Sequence, residues 1–252
     1  MFHVKHRLGQ APTREQIAAA ANSKLKDVIA PNLGVLFCGI NPGLYSAAAG
    51  HHFARPGNRF WPTLYASGFT PRLFSPHEDT ELLELGIGIT NIASRTTARA
   101  DLLRPEELLH GARSLRRKVL RHRPRVLAIV GLGAYRLAFA NSKARPGLQV
   151  ETVGRTLLWL LPNPSGLNAH HQPPALARLF AELNECVTRL KTCKTKDGSS
   201  TEDVDLGVDL DGDLDQDGNV DVHSTLDLAR RPSCGRTPRR AARQNVGPGR
   251  GQ

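Results

Sequence analysis

No apolar run in this chain approaches the roughly 20 residues that a membrane-crossing helix needs. The opening segment MFHVKHRLGQ has no apolar stretch of the kind a secretory signal carries. Both absences lead to the expectation of a cytoplasmic protein. Cysteine is scarce: Cys38, Cys186, Cys193 and Cys234 form no CxxC pair, which argues against a zinc or iron–sulfur centre. Disulfides are not expected in that compartment either. The thiols therefore read as small packing residues, and neither a metal nor a cofactor is expected.

What the chain has in excess is positive charge, unevenly placed. The formal net charge is +11. Residues 197–252 hold 11 acidic groups and 7 arginines, a balance of −4, leaving 27 basic and 12 acidic groups, or +15, in residues 1–196. A folded domain that basic attracts a polyanion, and nucleic acid is the commonest.

The C-terminal composition sets a boundary. Residues 197–229 are acidic and of low complexity, and residues 230–252 are rich in Arg, Pro and Gly. Neither stretch carries enough apolar surface to offset chain entropy. The expected organisation is a folded domain over 1–192 and a tail without packed structure over 193–252. Within the tail, Asp213, Asp215, Asp217 and Gly218 resemble the front of a calcium-binding loop, but Ser224 stands where the bidentate glutamate belongs. A solvated acidic run is the simpler reading.

Inside the domain, four short apolar runs read as buried strands: Gly34–Ile40, Ile87–Asn91, Val126–Val130 and Thr156–Leu161. Helical patterns occupy residues 13–30, 58–67, 76–85, 105–122, 134–141 and 174–190. The first opens on a Thr13/Gln16 capping pair, and the fourth ends in the basic RRKVLRHR. Strands and helices alternating in this way predict a three-layer α/β domain with a mainly parallel central sheet flanked by helices. Sites in such sheets form at the carboxyl ends of strands.

Four segments, three of them at those ends, carry candidate chemistry. GINPG (Gly39–Gly43) puts Asn41 on the turn leaving the first strand, where an amide carbonyl can align a water, although alone it also fits an Asn-Pro-Gly turn. GHHFARPGNRFWP (Gly50–Pro62) offers Phe53 as a stacking platform, with His52 and Arg59 as phosphate contacts. GIGITNIASRTTARADLL (Gly86–Leu103) ends a strand at Asn91 and continues through Arg95, Thr96 and Thr97, residue types that suit phosphates. LPNPSGLNAH (Leu161–His170) is a Pro/Gly loop carrying one apolar side chain, Leu167, that could wedge into a base stack.

Together, in this order and spacing, these segments and SGFT resemble the mismatch-specific uracil-DNA glycosylases, which include bacterial mismatch uracil glycosylases and animal thymine-DNA glycosylases. The resemblance runs from about Gly34 to Leu190. It implies a monofunctional glycosylase that flips uracil, and potentially thymine or modified pyrimidines, from G·U or G·T pairs in double-stranded DNA. The N-glycosidic bond is then hydrolysed, which initiates base-excision repair. Asn41 takes the position of the asparagine that directs the attacking water. Ile40, Ser46, Phe53 and Asn91 take base-binding positions, with Ser46 beside the C5 face. Asn163, Ser165, Gly166, Leu167 and Asn168 match the loop inserted into the duplex. The resemblance further implies a monomer, acting in the cytoplasm at the bacterial nucleoid.

Departures from the pattern touch specificity. Ala169 stands where a bacterial relative has arginine, Ser46 is not the alanine of the animal enzymes, and Asn91 and the paired histidines follow the animal form. Two other readings compete. A glycosylase of the iron–sulfur class would need its four cysteines gathered in space. A non-catalytic mismatch DNA-binding module would keep the basic face and the wedge without the chemistry.

Overall fold

The structure, a computed structural model, describes residues 11–139, 141–166 and 171–193. Strands form where the sequence is apolar without interruption. β1 (Val35–Gly39), β2 (Ile87–Asn91) and β3 (Val126–Val130) are parallel, and β1 lies between the other two, so that Phe37 faces Ile89 on one side and Ala128 on the other. β5 (Thr156–Leu161) extends the parallel array beyond β3, and β4 (Gly147–Val153) closes that edge antiparallel to β5, giving the order β2-β1-β3-β5-β4. The chain leaves β1 toward one edge and β3 toward the other. The crevice above the carboxyl ends of β1 and β3 is therefore where such a sheet receives a ligand.

Both faces of the sheet are covered, as uninterrupted apolar strands require. On one face, Phe37 meets Phe60 edge-on at 5.4 Å and stacks with Phe180 at 5.7 Å. Those partners come from α3 (Phe60–Ala66) and α6 (Pro173–Cys193). On the other face, Leu36 and Cys38 pack with Leu115 and Val119 of α4 (Pro105–His122) and Tyr135 of α5 (Leu132–Ala138). The three-layer α/β arrangement expected from the sequence is what is found. Among the described residues, no helix is long and apolar enough to cross a membrane.

α4 begins and ends where its sequence says. Pro105 occupies the first turn, Glu106 and Glu107 complement the positive end of the helix, and Arg123 closes it in the left-handed conformation. Gly111 has no room for a side chain, because a Cβ there would come within 2.4 Å of the Ile92 carbonyl. The helix thus lies directly on the segment leaving β2.

Four points differ from the sequence expectations. The helix drawn over 13–30 stops early: α1 is Arg14–Ala19, Asn22 takes a positive φ, and Val28 exchanges backbone hydrogen bonds with Ile89. Pairing with the exposed edge of β2 outweighs the helix propensity of the alanine run. β4 was not anticipated, because GLQVETV is largely exposed and contains no apolar run. Leu44–Ala49, to which the sequence reading gave no element, forms the short helix α2, and residues 76–85 are 3-10 rather than α-helical. Residues 194–252, most of the expected tail, lie outside the described residues.

Candidate active site at the carboxyl ends of the strands

The parallel pairing of β1 with β2 continues past both strands. Ile92 donates to the Gly39 carbonyl at 2.9 Å, Ala93 to Ile40 at 2.9 Å and Thr97 to Pro42 at 3.2 Å. Segments 39–43 and 91–97 are thus held side by side. Arg95 stiffens the second segment from outside, with Nε and Nη2 on the two Glu107 oxygens at 2.6 and 2.8 Å and Nη2 also on the Leu102 carbonyl. The Arg95 guanidinium, and then the Arg104 backbone amide, hold the Glu107 carboxyl down at about 2. Arg95 is therefore committed to the fold.

Asn41 stands in the first segment with its amide nitrogen fastened. Nδ2 donates to Thr97 Oγ1 at 2.7 Å, the Arg95 carbonyl at 3.1 Å and the Pro42 carbonyl at 3.2 Å. Thr97 gives its own proton to the Arg99 carbonyl at 2.6 Å, so it faces Asn41 as an acceptor. This network orients the amide. It leaves Oδ1 without a protein donor among the described residues, a fixed acceptor on a half-buried side chain. Such an oxygen can hold and aim a water. Thr97→Val removes one of the three acceptors, and the single-turnover rate should fall about 10-fold, one hydrogen bond's worth of positioning. Circular dichroism should show the fold retained.

Phe53 and Asn91 converge on Gly39. A Cβ at Gly39 would lie 2.5 Å from Asn91 Oδ1 and 3.4 Å from Phe53 Cζ. Phe53 has φ of +53°, a conformation a bulky side chain adopts only where its surroundings impose it. One face of its ring stacks on Phe60 at 4.0 Å and 20°. Ser46 helps impose the turn: it is buried on α2, its hydroxyl accepts from the Ala54 amide at 3.1 Å and its carbonyl accepts from His51. The Ile40 side chain turns away from this group, against Gly131.

His52 orients Asn91. Its Nε2 lies 3.0 Å from the Lys26 carbonyl, an acceptor, so Nε2 carries the proton. Nδ1 then accepts from Asn91 Nδ2 at 3.4 Å, which turns Asn91 Oδ1 toward Gly39. Burial pushes the His52 pKa down and keeps the ring neutral. His52 thus stabilises the fold fully above its ordinary value of about 6.5, and this contribution is lost as pH falls toward the lowered one. Protonation would also set two donors face to face at Nδ1 and Asn91 Nδ2. The rate should therefore hold through neutral pH and fall only as the pH drops below the ordinary histidine value of about 6.5, and His52→Gln, which accepts without titrating, should flatten that acid limb. A pH–rate profile of both proteins checks this.

Two residues read from the sequence as phosphate contacts are turned inward. His52 is committed as described, and Thr96, 1% exposed, donates to the Ser23 carbonyl at 2.9 Å. Neither can reach a phosphate from there. Arg59, the third, bonds the His171 carbonyl at 2.8 Å and the Gly166 carbonyl at 3.3 Å. It grips both sides of residues 167–170. The Ser165 amide donates to Asn163 Oδ1 at 2.9 Å, and a Cβ at Gly166 would come within 2.5 Å of the Gly57 carbonyl. This loop and the 55–59 loop are therefore closely packed. Leu167 and Asn168 lie outside the described residues, as does Ala169.

Two clefts flank the Gly39 position. One, about 830 Å³, includes Pro42, Asn91, Arg95, Lys24, Lys26 and Lys118 in its lining. The other, about 680 Å³, includes Phe53, Arg55, Asn58 and Trp61. The positioning role of Thr97 escaped the sequence reading, because only the pairing of 43 with 97 brings it to Asn41. Cys38 is fully buried in β1, and burial holds its thiol protonated.

Residues 26–188 match the model of the uracil DNA glycosylase superfamily. That span contains all five strands, Asn41, Phe53, Asn91 and the 163–166 loop, and most of α6.

Proposed function

This chain belongs to the uracil DNA glycosylase superfamily, a DNA glycosylase of base-excision repair, and we propose that it removes uracil from G·U pairs as a monofunctional hydrolase. Thymine in G·T pairs and modified pyrimidines form a second tier of substrates. The observation that carries the reading is the Asn41 amide, whose nitrogen is tied to three acceptors while its carbonyl is left for a water.

The target carbon lies inside a stacked duplex, so the nucleotide must be extruded first, and a wobble pair costs less to open than a correct one. The 163–168 loop, with Leu167 as wedge, fills the space the base leaves. The open face of Phe53 receives the base, and Asn91 Oδ1 accepts its N3–H. Uracil and thymine carry that proton and cytosine does not, so the orientation set by His52 selects against the normal base. Ser46 lies beside C5, where a bulky side chain would exclude a 5-substituent and a small one does not. Asn41 aims water at the sugar carbon as the glycosidic bond breaks and charge leaves with the pyrimidine, stabilised by nearby donors. An amide activates water less than a carboxylate does, so turnover is slow.

A panel of duplexes varying the target and opposing base tests this. Uracil opposite guanine should be released fastest and cytosine not at all. Equal rates opposite guanine and adenine would contradict mismatch selection. Binding of the mismatch without any base release would favour a non-catalytic module.

A further inference from the structure

From Arg113 onward, α4 carries a charge pattern that the fold does not use. Arg113, Arg116, Arg117 and Arg121 are all exposed, and none has an ion-pair or hydrogen-bond partner among the described residues. Arg113, Arg117 and Arg121 stand four residues apart, a register in which like charges destabilise a helix. No acidic residue lies three or four positions from any of the four on their own helix. The helix dipole favours cations only in the last turn, which accounts for Arg121 but not for the other three. Two more exposed arginines, also without a side-chain partner among the described residues, adjoin this end. Arg123 caps the helix, and Arg155 follows Gly154, where a Cβ would touch Leu120 of α4.

The location separates this patch from the active site. α4 runs from the carboxyl end of β2 back to the start of β3, and its 18 residues span about 27 Å at 1.5 Å per residue. The His122 carbonyl accepts from Asn32, just ahead of β1, and Arg155 immediately precedes β5. Arg121, Arg123 and Arg155 therefore belong to the amino-terminal edge of the sheet, while Asn41, Phe53 and Asn91 lie at the carboxyl edge.

We propose that this arginine patch is a second binding surface for a DNA duplex, one that grips phosphates without reading sequence and stays open while the first duplex occupies the active site. Backbone phosphates supply the charge that the helix lacks, and binding of this kind does not depend on the base. A molecule with two such faces bridges two duplex segments and passes between them without full release. The placement of the first duplex rests on the reading given above.

The test uses the full chain. Protein is first loaded with an immobilised duplex carrying a non-cleavable target nucleotide, and capture of a second, labelled duplex of unrelated sequence is then measured against salt. The comparison protein is R113Q/R117Q/R121Q, which keeps the helix formers and removes the repelling register. The wild type should capture the second duplex. The variant should capture it at least about 10-fold more weakly, with the slope of log affinity on log salt reduced by about 2.7, some 0.9 for each phosphate that the missing arginines no longer neutralise. Its single-turnover excision rate at saturating protein should be unchanged, and its melting temperature equal or higher. No second capture by the wild type, or equal capture by both proteins, would overturn the proposal while leaving the glycosylase reading intact. Failure to load the first duplex would overturn both.

Discussion

Asn41→Ala is expected to lower the single-turnover rate of uracil release from a G·U duplex on the order of 10²-fold or more, the range over which a positioned group assists a reaction. Duplex affinity and melting temperature should barely move. The reason is the division of labour within one side chain. The amide nitrogen holds Asn41 to Thr97 Oγ1 and to the Arg95 and Pro42 carbonyls, and those partners belong to segments already zipped together by backbone pairing. Removing the side chain therefore costs the fold little, while the carbonyl that aims water is lost entirely. The stretch beneath stays in place because Arg95 and Glu107 fix it independently of Asn41. Stopped-flow quench with protein in excess separates the chemical step from product release. An alanine variant that cleaves at the wild-type rate would remove Asn41 from the mechanism.

Gly39→Ala should be nearly as damaging, for a different reason. The added methyl would sit 2.5 Å from Asn91 Oδ1 and 3.4 Å from Phe53 Cζ, at the point where the stacking ring and the polar reader meet. Asn91 cannot simply swing away, because its Nδ2 is engaged with His52. Overpacking of this kind costs about 1–3 kcal/mol, and if it falls on the bound base, kcat/KM should drop about 10- to 100-fold. The effect should appear in the target-base step and not in the affinity for an unmodified duplex. A double-mutant cycle locates it: in an Asn91→Ala background the clash is relieved, so Gly39→Ala should cost much less there. Equal losses in both backgrounds would show that Gly39 acts through something other than Asn91.

Legibility in the sequence followed burial. β1, β2, β3 and β5 were readable because strands buried on both faces appear as unbroken apolar runs, and α4 because proline, two glutamates and a basic terminus mark its ends. β4 was not readable, since an exposed edge strand has no such run, and α1 was overdrawn because nothing local reveals that Val28 pairs with Ile89. The site divided along the same line. Asn41 and Asn91 were visible as residue types at strand ends and Phe53 as the aromatic of a His/Arg/Gly loop, and the structure brings Phe53 and Asn91 to one glycine. His51 and His52 looked alike in the sequence, yet only His52 is buried and bonded to Lys26 and Asn91. Thr96 and Thr97 divide in a similar way: one closes onto Ser23, the other orients Asn41. Which member of each pair turns inward is decided by a turn or a ladder formed with a distant segment, and such long-range pairing leaves no trace in local pattern.

The central claim is that this protein breaks a glycosidic bond with water and leaves the DNA strand whole. Incubation of the full chain with an end-labelled G·U duplex, with half of each sample then heated in alkali, tests that claim most directly. The account predicts an intact strand before alkali and a single cut at the uracil position after it. A strand already cut before alkali, or still uncut after it, would contradict the account.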